Sequence, residues 1–458
     1  MTTFSAIKDF LLRERTLGRR RGATPVRRKR ARQRGVALVA VMIAIAITLV
    51  ISNEFGTSTN GDLMAAANYR DQMRSHFLAR SALSLSELVI HIQRRIDNIA
   101  QLRDAGIRIT DFADQVLLAF CGNSEEVQAA IGLSSSDAKG LGADIGTCGV
   151  TGQITTDDDK INLNCANGNV QTTAKYLKSE LDALVYFPAY DPIFEDPDAE
   201  GYRRDRATQV AAIIDYIDAD TQHLHDFGTT EDYGYENLKD RYKPKNNYVD
   251  TIGELRLVRG VDDRFWTLFG PSFTVYGGCQ INVSALQNSQ LIAAILYLSA
   301  KNANDPVVQD PVRLFALAGL VAKAGQFGMT FTKAEDFAGF VKDPAAQLGL
   351  VAGQAGTLAG SAAGAAIASG IPGLTGGQKL GLELDITKLK QIVTAGPRKT
   401  YRVEAWGEIE RKQKMADGSP VFPPIRTTIT GVWDTRRVPQ NARRPGAPKG
   451  TWVFQRED

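Results

Sequence analysis

The feature that most constrains this chain is a change of character at residue 35. The run Arg27-Arg28-Lys29-Arg30-Ala31-Arg32-Gln33-Arg34-Gly35 is followed at once by sixteen residues without a charge, Val36 to Ile51. At 1.5 Å per residue those sixteen make a helix of about 24 Å, a little short of a full bilayer crossing. A basic cluster before an apolar helix stays cytoplasmic, so everything after Ile51 is expected outside the membrane. A secretory signal peptide would need a small-residue cleavage site after the apolar run. Here the run ends in Ser52-Asn53-Glu54-Phe55, which is not that pattern.

Charge divides the chain at the same place. Residues 1–35 hold twelve Lys or Arg against Asp9 and Glu14, a balance of +10, which leaves −7 for the rest of a chain whose total is +3. An acidic body argues against nucleic-acid binding by charge, so no nucleic-acid partner is expected. Its 458 residues suffice for two or three domains with cores of their own. Cys121, Cys148, Cys165 and Cys279 all follow the basic block. Four cysteines in an exported chain fit two disulfides in any of three pairings, or buried thiols acting as small hydrophobes.

A basic run, a Gly and an uninterrupted apolar helix together resemble a prepilin signal. The resemblance implies cleavage by a prepilin peptidase between Gly35 and Val36, with Val36 as a methylated N-terminus and the apolar segment kept as anchor. Most pilins carry a Glu as the fifth mature residue, and here that position is Ala40. A buried carboxylate with no partner costs several kcal/mol, so a subunit with nothing above it gains nothing from that Glu. Met73, Phe77, Ser81, Leu85, Leu88, Ile92, Ile96 and Ile99 then recur at helical spacing as one face of an amphipathic stem. Gly56 and Asn60-Gly61 are expected to bend or interrupt the helix before it.

Strand-like pieces follow at Val150 to Thr156 and, after the acidic turn Asp157-Asp158-Asp159-Lys160, at Ile161 to Asn164. A related piece appears at Phe273 to Tyr276 and Gln280 to Ala285. Between them Ala211 to Ile217 and Ile252 to Val258 read as helical. Alternation at Tyr401, Val403, Ala405 and Ile409, and again at Ile425, Ile429 and Trp433, reads as antiparallel strands, with a short last strand at Thr451 to Phe454. The fold class is α+β. Residues 350–377 hold sixteen Gly or Ala and no charge, and read as a flexible insertion or, alternatively, a small-xxx-small membrane helix through Gly356, Gly360 and Gly364.

The stretch from Ala211 to Asp220, the acidic loop to Asp232-Tyr233, Tyr242 to Asn246 and Thr251 to Val261 resemble the inserted α-domain of the large minor pseudopilins of bacterial type II secretion, the protein K family. The resemblance implies a pilin-like long N-terminal helix plus a small antiparallel sheet, with a large inserted mainly α-helical domain. Carried onto this chain, it gives a leader at 1–35 and a membrane part at 36–55. Stem and first strands follow at 56–165, the inserted domain with helix-hairpin-helix-like turns at 166–345, the Gly/Ala-rich insert at 346–380 and pilin-core strands at 381–458. It also implies a single-pass inner-membrane protein with its body in the periplasm, at the tip of a short filament. Its partners there are the I and J minor pseudopilins and the inner-membrane assembly platform, and it helps nucleate assembly and export of folded proteins. The protein K pseudopilins typically lack the Glu that Ala40 replaces.

Six carboxylates lie between Asp215 and Asp232 with no Lys or Arg among them. Asp218, Asp220, Glu231 and Asp232 offer hard oxygen ligands for calcium, which the resemblance also implies for the inserted domain. The spacing fits no EF-hand, and a solvated acidic loop is the alternative. Leu255-Arg-Leu-Val-Arg-Gly260-Val261 also resembles a helix-hairpin-helix turn, whose Gly exposes backbone amides to phosphate. That supports a second reading, a membrane-anchored DNA-uptake protein of competence systems. Against it stand Arg259 in place of the usual Pro and the acidic surroundings. His223-Leu-His225 beside acids is a weak zinc signal. No phosphate loop, dinucleotide fingerprint or local nucleophile–base pattern is present, so no catalysis is expected.

Overall fold

The computed structural model describes residues 34–121, 146–197, 205–224, 231, 235, 241–347, 380–410, 423–437 and 450–457, apart from 105, 169, 327, 328, 345 and 346. The basic leader up to residue 33, Asp232, His225 and the Gly/Ala-rich run lie outside the described residues. The chain divides into an N-terminal unit, 1–69, and a body, 70–458.

Helix α1 runs from Arg34 to Asp97. In the N-terminal unit it is apolar and exposed from Val36 to Ile51, and it is long and apolar enough to cross a membrane. The Thr48 hydroxyl donates to the Ala44 carbonyl at 2.6 Å, which hides the one polar side chain in that run. Contrary to expectation, Gly56 and Gly61 do not interrupt α1. An exposed mid-helix Gly costs only about 1 kcal/mol, too little to break a helix propagating from both sides.

In the body, α1 packs on a five-stranded antiparallel sheet. Its strands are β1 (Thr147–Val150), β2 (Thr155–Thr156), β7 (Thr400–Ile409), β8 (Ile425–Asp434) and β9 (Thr451–Glu457), in the order β1-β7-β8-β9 with β2 also on β7. Alternation along β7 turns Tyr401, Val403, Ala405 and Ile409 inward, and their β8 partners include Trp433 and Ile429. The stem meets this face through small residues. Ser75, Ala79, Ala82 and Ser86 are all fully buried, and the Ser75 hydroxyl sits 2.7 Å from the Gly407 carbonyl and 2.9 Å from Thr427 Oγ1. A Cβ on Gly407 would lie 2.3 Å from the Ser75 carbonyl, so only Gly permits this approach.

That contact corrects the expected stem face. Met73, Phe77, Ser81, Leu88, Ile92 and Ile99 are exposed, with Phe77 58% and Leu88 50% accessible. Close helix–sheet approach selects small side chains at this seam, with Leu83, Val89 and Ile90 buried beside it and Phe77 and Leu88 left on the outer face. Helix α2 (Ala113–Cys121) closes this core, tied to β1 by the Cys121–Cys148 disulfide.

Between β2 and β7 the chain builds two copies of one device. In the first, β3 (Ile161–Asn162) pairs in parallel with β4 (Phe273–Thr274), and between them lie α3 (Lys175–Val185), α4 (Arg206–Asp215) and α5 (Asp263–Phe269). In the second, β5 (Ile281–Asn282) pairs in parallel with β6 (Val393–Thr394), enclosing α6 (Ser289–Ser299), α7 (Pro311–Gln326), α8 (Ala334–Lys342) and α9 (Ile386–Ile392). In each copy an Asn holds the loop after the returning strand. Asn162 Nδ2 donates to the Gly277 carbonyl at 3.3 Å, and Asn282 Nδ2 to that of Gly396 at 3.1 Å. Both glycines have positive φ, 98° and 114°, which side chains with a Cβ rarely adopt. The Asn162 and Asn282 Oδ1 atoms each accept from the backbone amide two residues on. The two halves share one hydrophobic core, in which Phe187 meets Phe315 with ring centroids 5.0 Å apart.

Asp158 joins both halves to the sheet. Its carboxylate accepts from the Lys399 and Thr400 amides and the Thr400 hydroxyl, and its carbonyl accepts from the Asn282 amide at 2.7 Å. Beside it Asp157 is buried against Arg402 at 2.6 Å and Lys160 at 2.8 Å. Burial alone would raise the Asp157 carboxyl, but these two cations outweigh it and hold the group below the ordinary range.

Candidate functional site

The acidic segment is organised by the end of α4. Asp205 caps that helix by accepting from the Thr208 amide at 2.7 Å, and Asp215 closes it. The chain then turns sharply. The Asp218 amide donates to Ile214 at 2.9 Å, and Asp220 Oδ1 accepts from the Gln222 amide at 2.8 Å. These turns bring Asp218 and Asp220 to Glu231, so that one carboxylate oxygen from each lies within 4.8 Å of the others. Calcium–oxygen distances of about 2.3–2.6 Å put two ligands of one ion at most about 5.2 Å apart, so the three fit around a single ion.

A fourth oxygen was not singled out by sequence. Asn246 lies in the left-handed region at φ 46°, and its amide donates to the Tyr216 carbonyl at 3.0 Å. Its side-chain nitrogen donates to Glu231 Oε2 at 2.6 Å and to the Asp220 carbonyl. The Asn246 Oδ1 and Asp218 Oδ1 atoms are buried and accept no hydrogen bond among the described residues. Buried acceptors of this kind call for a donor or a cation. An Asn among charged loop residues, tolerant of positive φ, was the available signal.

Electrostatics agree with the geometry. Burial pushes the Asp215 carboxyl up to about 8, against the pull of the Leu224 amide and with help from Asp218, Glu231 and Asp220. Burial, then repulsion from Asp220 and Glu231, pushes Asp218 up to about 7. Carboxylates crowded out of water in this way need protons or a metal ion. Asp215 is satisfied differently, taking the Leu224 amide at 3.1 Å with His223 Nδ1 3.6 Å away. Asp218, Asp220 and Glu231 could hold a cation such as calcium, with the Asn246 side chain hydrogen-bonded to Glu231 beside them.

The hairpin-like segment does not present a phosphate site. Residues Ile252–Leu257 form a 3-10 turn rather than an α-helix, Gly260 is buried with φ 87°, and Asp262 caps α5. The Arg259 amide donates to the Tyr235 hydroxyl at 3.1 Å, and its carbonyl accepts from Gln209. This turn packs helices. Gly35, Val36 and Ala40 all lie in α1 of the N-terminal unit. The remaining two cysteines form the Cys165–Cys279 disulfide, which closes the foot of the first half.

Residues 160–278 match the family model described as type II secretion system (T2SS), protein K. The type II secretion system protein K of Pectobacterium carotovorum subsp. carotovorum is 24% identical over 233 residues, 51% of this chain and 60% of that protein. That of Aeromonas hydrophila is 22% identical over 278 residues, 60% of this chain and 74% of that protein. This chain is similar to the protein K family over residues 160–278. Its matched protein K segment coincides with the first inserted half, from β3 to the Gly277 loop, and contains the whole acidic cluster. Among solved structures, the GspK-GspI-GspJ complex from enterotoxigenic Escherichia coli aligns over 81% of this chain and 99% of that chain, with 13% identity and a TM-score of 0.40.

Proposed function

We propose that this chain is a non-enzymatic minor pseudopilin at the tip of a type II secretion pseudopilus, where it helps nucleate assembly and the export of folded proteins. The observation that carries the reading is the pair of inserted halves between β2 and β7 of a pilin-like head. So large a body cannot stack within a tight helical filament and fits only at its end. Ala40 supports the same place, since a terminal subunit has no neighbour above to neutralise a buried Glu. The exposed apolar stripe of Met73, Phe77, Leu88 and Ile92 gives smaller pseudopilins, I and J, a surface to pack against.

In this reading prepilin peptidase removes residues 1–35 and Val36 becomes the methylated N-terminus. The apolar part of α1 anchors the protein once in the inner membrane, at the assembly platform, with the body in the periplasm. Calcium held by Asp218, Asp220 and Glu231, with Asn246 beside them, orders the first half. The test is complementation of a bacterium lacking its own protein K. The full chain is expected to restore secretion, Gly35→Ala to abolish it, and Ala40→Glu to give no more or longer filaments. Unimpaired secretion by Gly35→Ala, with residues 1–35 still attached by intact-mass analysis, would sink the proposal.

A further inference from the structure

Where α1 ends, the body holds a half-enclosed cleft of about 40 Å³, unrelated to the acidic cluster. A water needs about 10–15 Å³ by this measure, so the cleft has room for about three waters or one planar anionic group. Arg103, Arg108 and Arg398 line it, with Asp97 as the one acidic lining residue. Asp111 lies behind, bridging the two nearer guanidiniums at 3.3 Å to Arg108 and 3.0 Å to Arg398. Among the described residues, three guanidiniums and one carboxylate line the cleft, and Asp111 bridges two of the three.

Two donors there have no partner among the described residues. Among the described residues, the Oγ1 of the fully buried Thr110 makes no hydrogen bond, and the Nε of Arg398, whose side chain is 10% exposed, makes none either. Leaving a buried donor unpaired costs about 1–3 kcal/mol, more for a charged one, so two beside one cleft mark a place built for an acceptor. Burial and then the facing Arg398 push the Arg108 guanidinium down, the direction expected where like charges await an anion. Ile107, Phe331 and Pro397 supply apolar walls.

We infer that this cleft binds a carboxylate carried on a short apolar stem, held by Arg398 and Arg108 with Thr110 donating to it. Guanidinium forks match carboxylates in plane and spacing, and the walls exclude a large or fully hydrated anion. Two sources share this chemistry, the C-terminal carboxylate of a peptide and a free short-chain acid. Because the cleft joins the stem to the second inserted half, occupancy would couple the two.

The experiment uses the full chain in detergent micelles and follows thermal unfolding and titration calorimetry. The probes are butyrate, a short apolar peptide with a free C-terminus, and the same peptide as its C-terminal amide, against sodium chloride at matched ionic strength. Saturable stabilisation by the free-acid peptide alone identifies a chain-terminus site. Stabilisation by butyrate as well identifies a general carboxylate site. Thr110→Val, nearly isosteric, is expected to weaken either about fivefold, one hydrogen bond's worth. Should Thr110→Val fold poorly, Arg103→Gln at the half-exposed rim is expected to weaken binding without disturbing the fold. Equal effects of acid, amide and chloride, or binding unchanged in both variants, would mean that water fills the cleft and would overturn the inference.

Discussion

The two inserted halves rest on the same Asn–Gly foot but are fastened by different chemistry. In the first, Cys165 and Cys279 are covalently joined three residues after Asn162 and two after Gly277. The corresponding positions of the second half, counted from Asn282 and Gly396, hold Ala285 and Arg398. There Arg398 reaches Asp111, and Arg108 donates to the Gly325 carbonyl at 3.0 Å, so an ionic clamp to the stem stands where the first half has a cystine. The difference follows from surroundings. The first half carries a long acidic segment that repels itself, and a covalent tie holds it whatever the ionic conditions. The second is clamped by charges whose strength varies with salt and with what occupies the cleft.

Breaking the cystine should have the largest effect. Cys165→Ser with Cys279→Ser opens a link of sequence separation 114, and removing a native disulfide costs about 2–5 kcal/mol. Denaturant unfolding should show the first half melting separately, with calcium affinity reduced. An unchanged single transition would mean that the shared core, not the cystine, holds the foot.

Calcium sharpens the contrast next. At about 100 times its dissociation constant the ion should stabilise the body by about 2.7 kcal/mol, and Asp218→Asn with Asp220→Asn should abolish the gain. Its pH dependence has a definite sign. Asp215 and Asp218 titrate in the fold at about 8 and about 7, above the ordinary value of about 3.9. Their contribution is complete below about pH 4 and is lost as pH rises through 7 to 8. Chelated protein should therefore weaken over that window while calcium-loaded protein does not. Asp159, which burial raises to about 7, adds the same slope in both buffers and cancels in the difference. Identical melts at every pH would leave the acidic segment as solvated surface.

Loosening the ionic clamp should cost less. Asp111→Asn removes the charge between Arg108 and Arg398, worth about 2 kcal/mol, and the loss should shrink as salt screens the freed repulsion. A salt-independent loss would point to packing instead. Smallest are the feet themselves. Asn162→Ala and Asn282→Ala should each cost about 1 kcal/mol, and matching values in chemical denaturation would establish that the halves share one device.

Much of the architecture was legible because periodicity reports burial. The alternation of Tyr401, Val403 and Ala405 announced β7, and the kinship of Ile161-Asn162 with Ile281-Asn282 showed before any pairing was known. The stem face was not legible. Hydrophobic spacing picks out the widest apolar stripe, whereas the seam with the sheet is made of Ser75, Ala79 and Ala82, whose value lies in being small. The site divided likewise. A run of carboxylates stands out in one dimension, but Asn246 joins them only because the chain returns to Tyr216, and Thr110 and Arg398 meet across nearly three hundred residues.

Asp158 has a mechanical consequence. Load on either half would reach the sheet and stem through a few joints, among them this carboxylate, the Asp157–Arg402 pair and the Arg398–Asp111 pair. The sheet itself shares load across the ten-residue β7–β8 ladder, where many hydrogen bonds shear together. Compliance therefore concentrates at these joints. Load would tilt the halves about those joints as a unit, because they share a core, before it strained the beam that carries them.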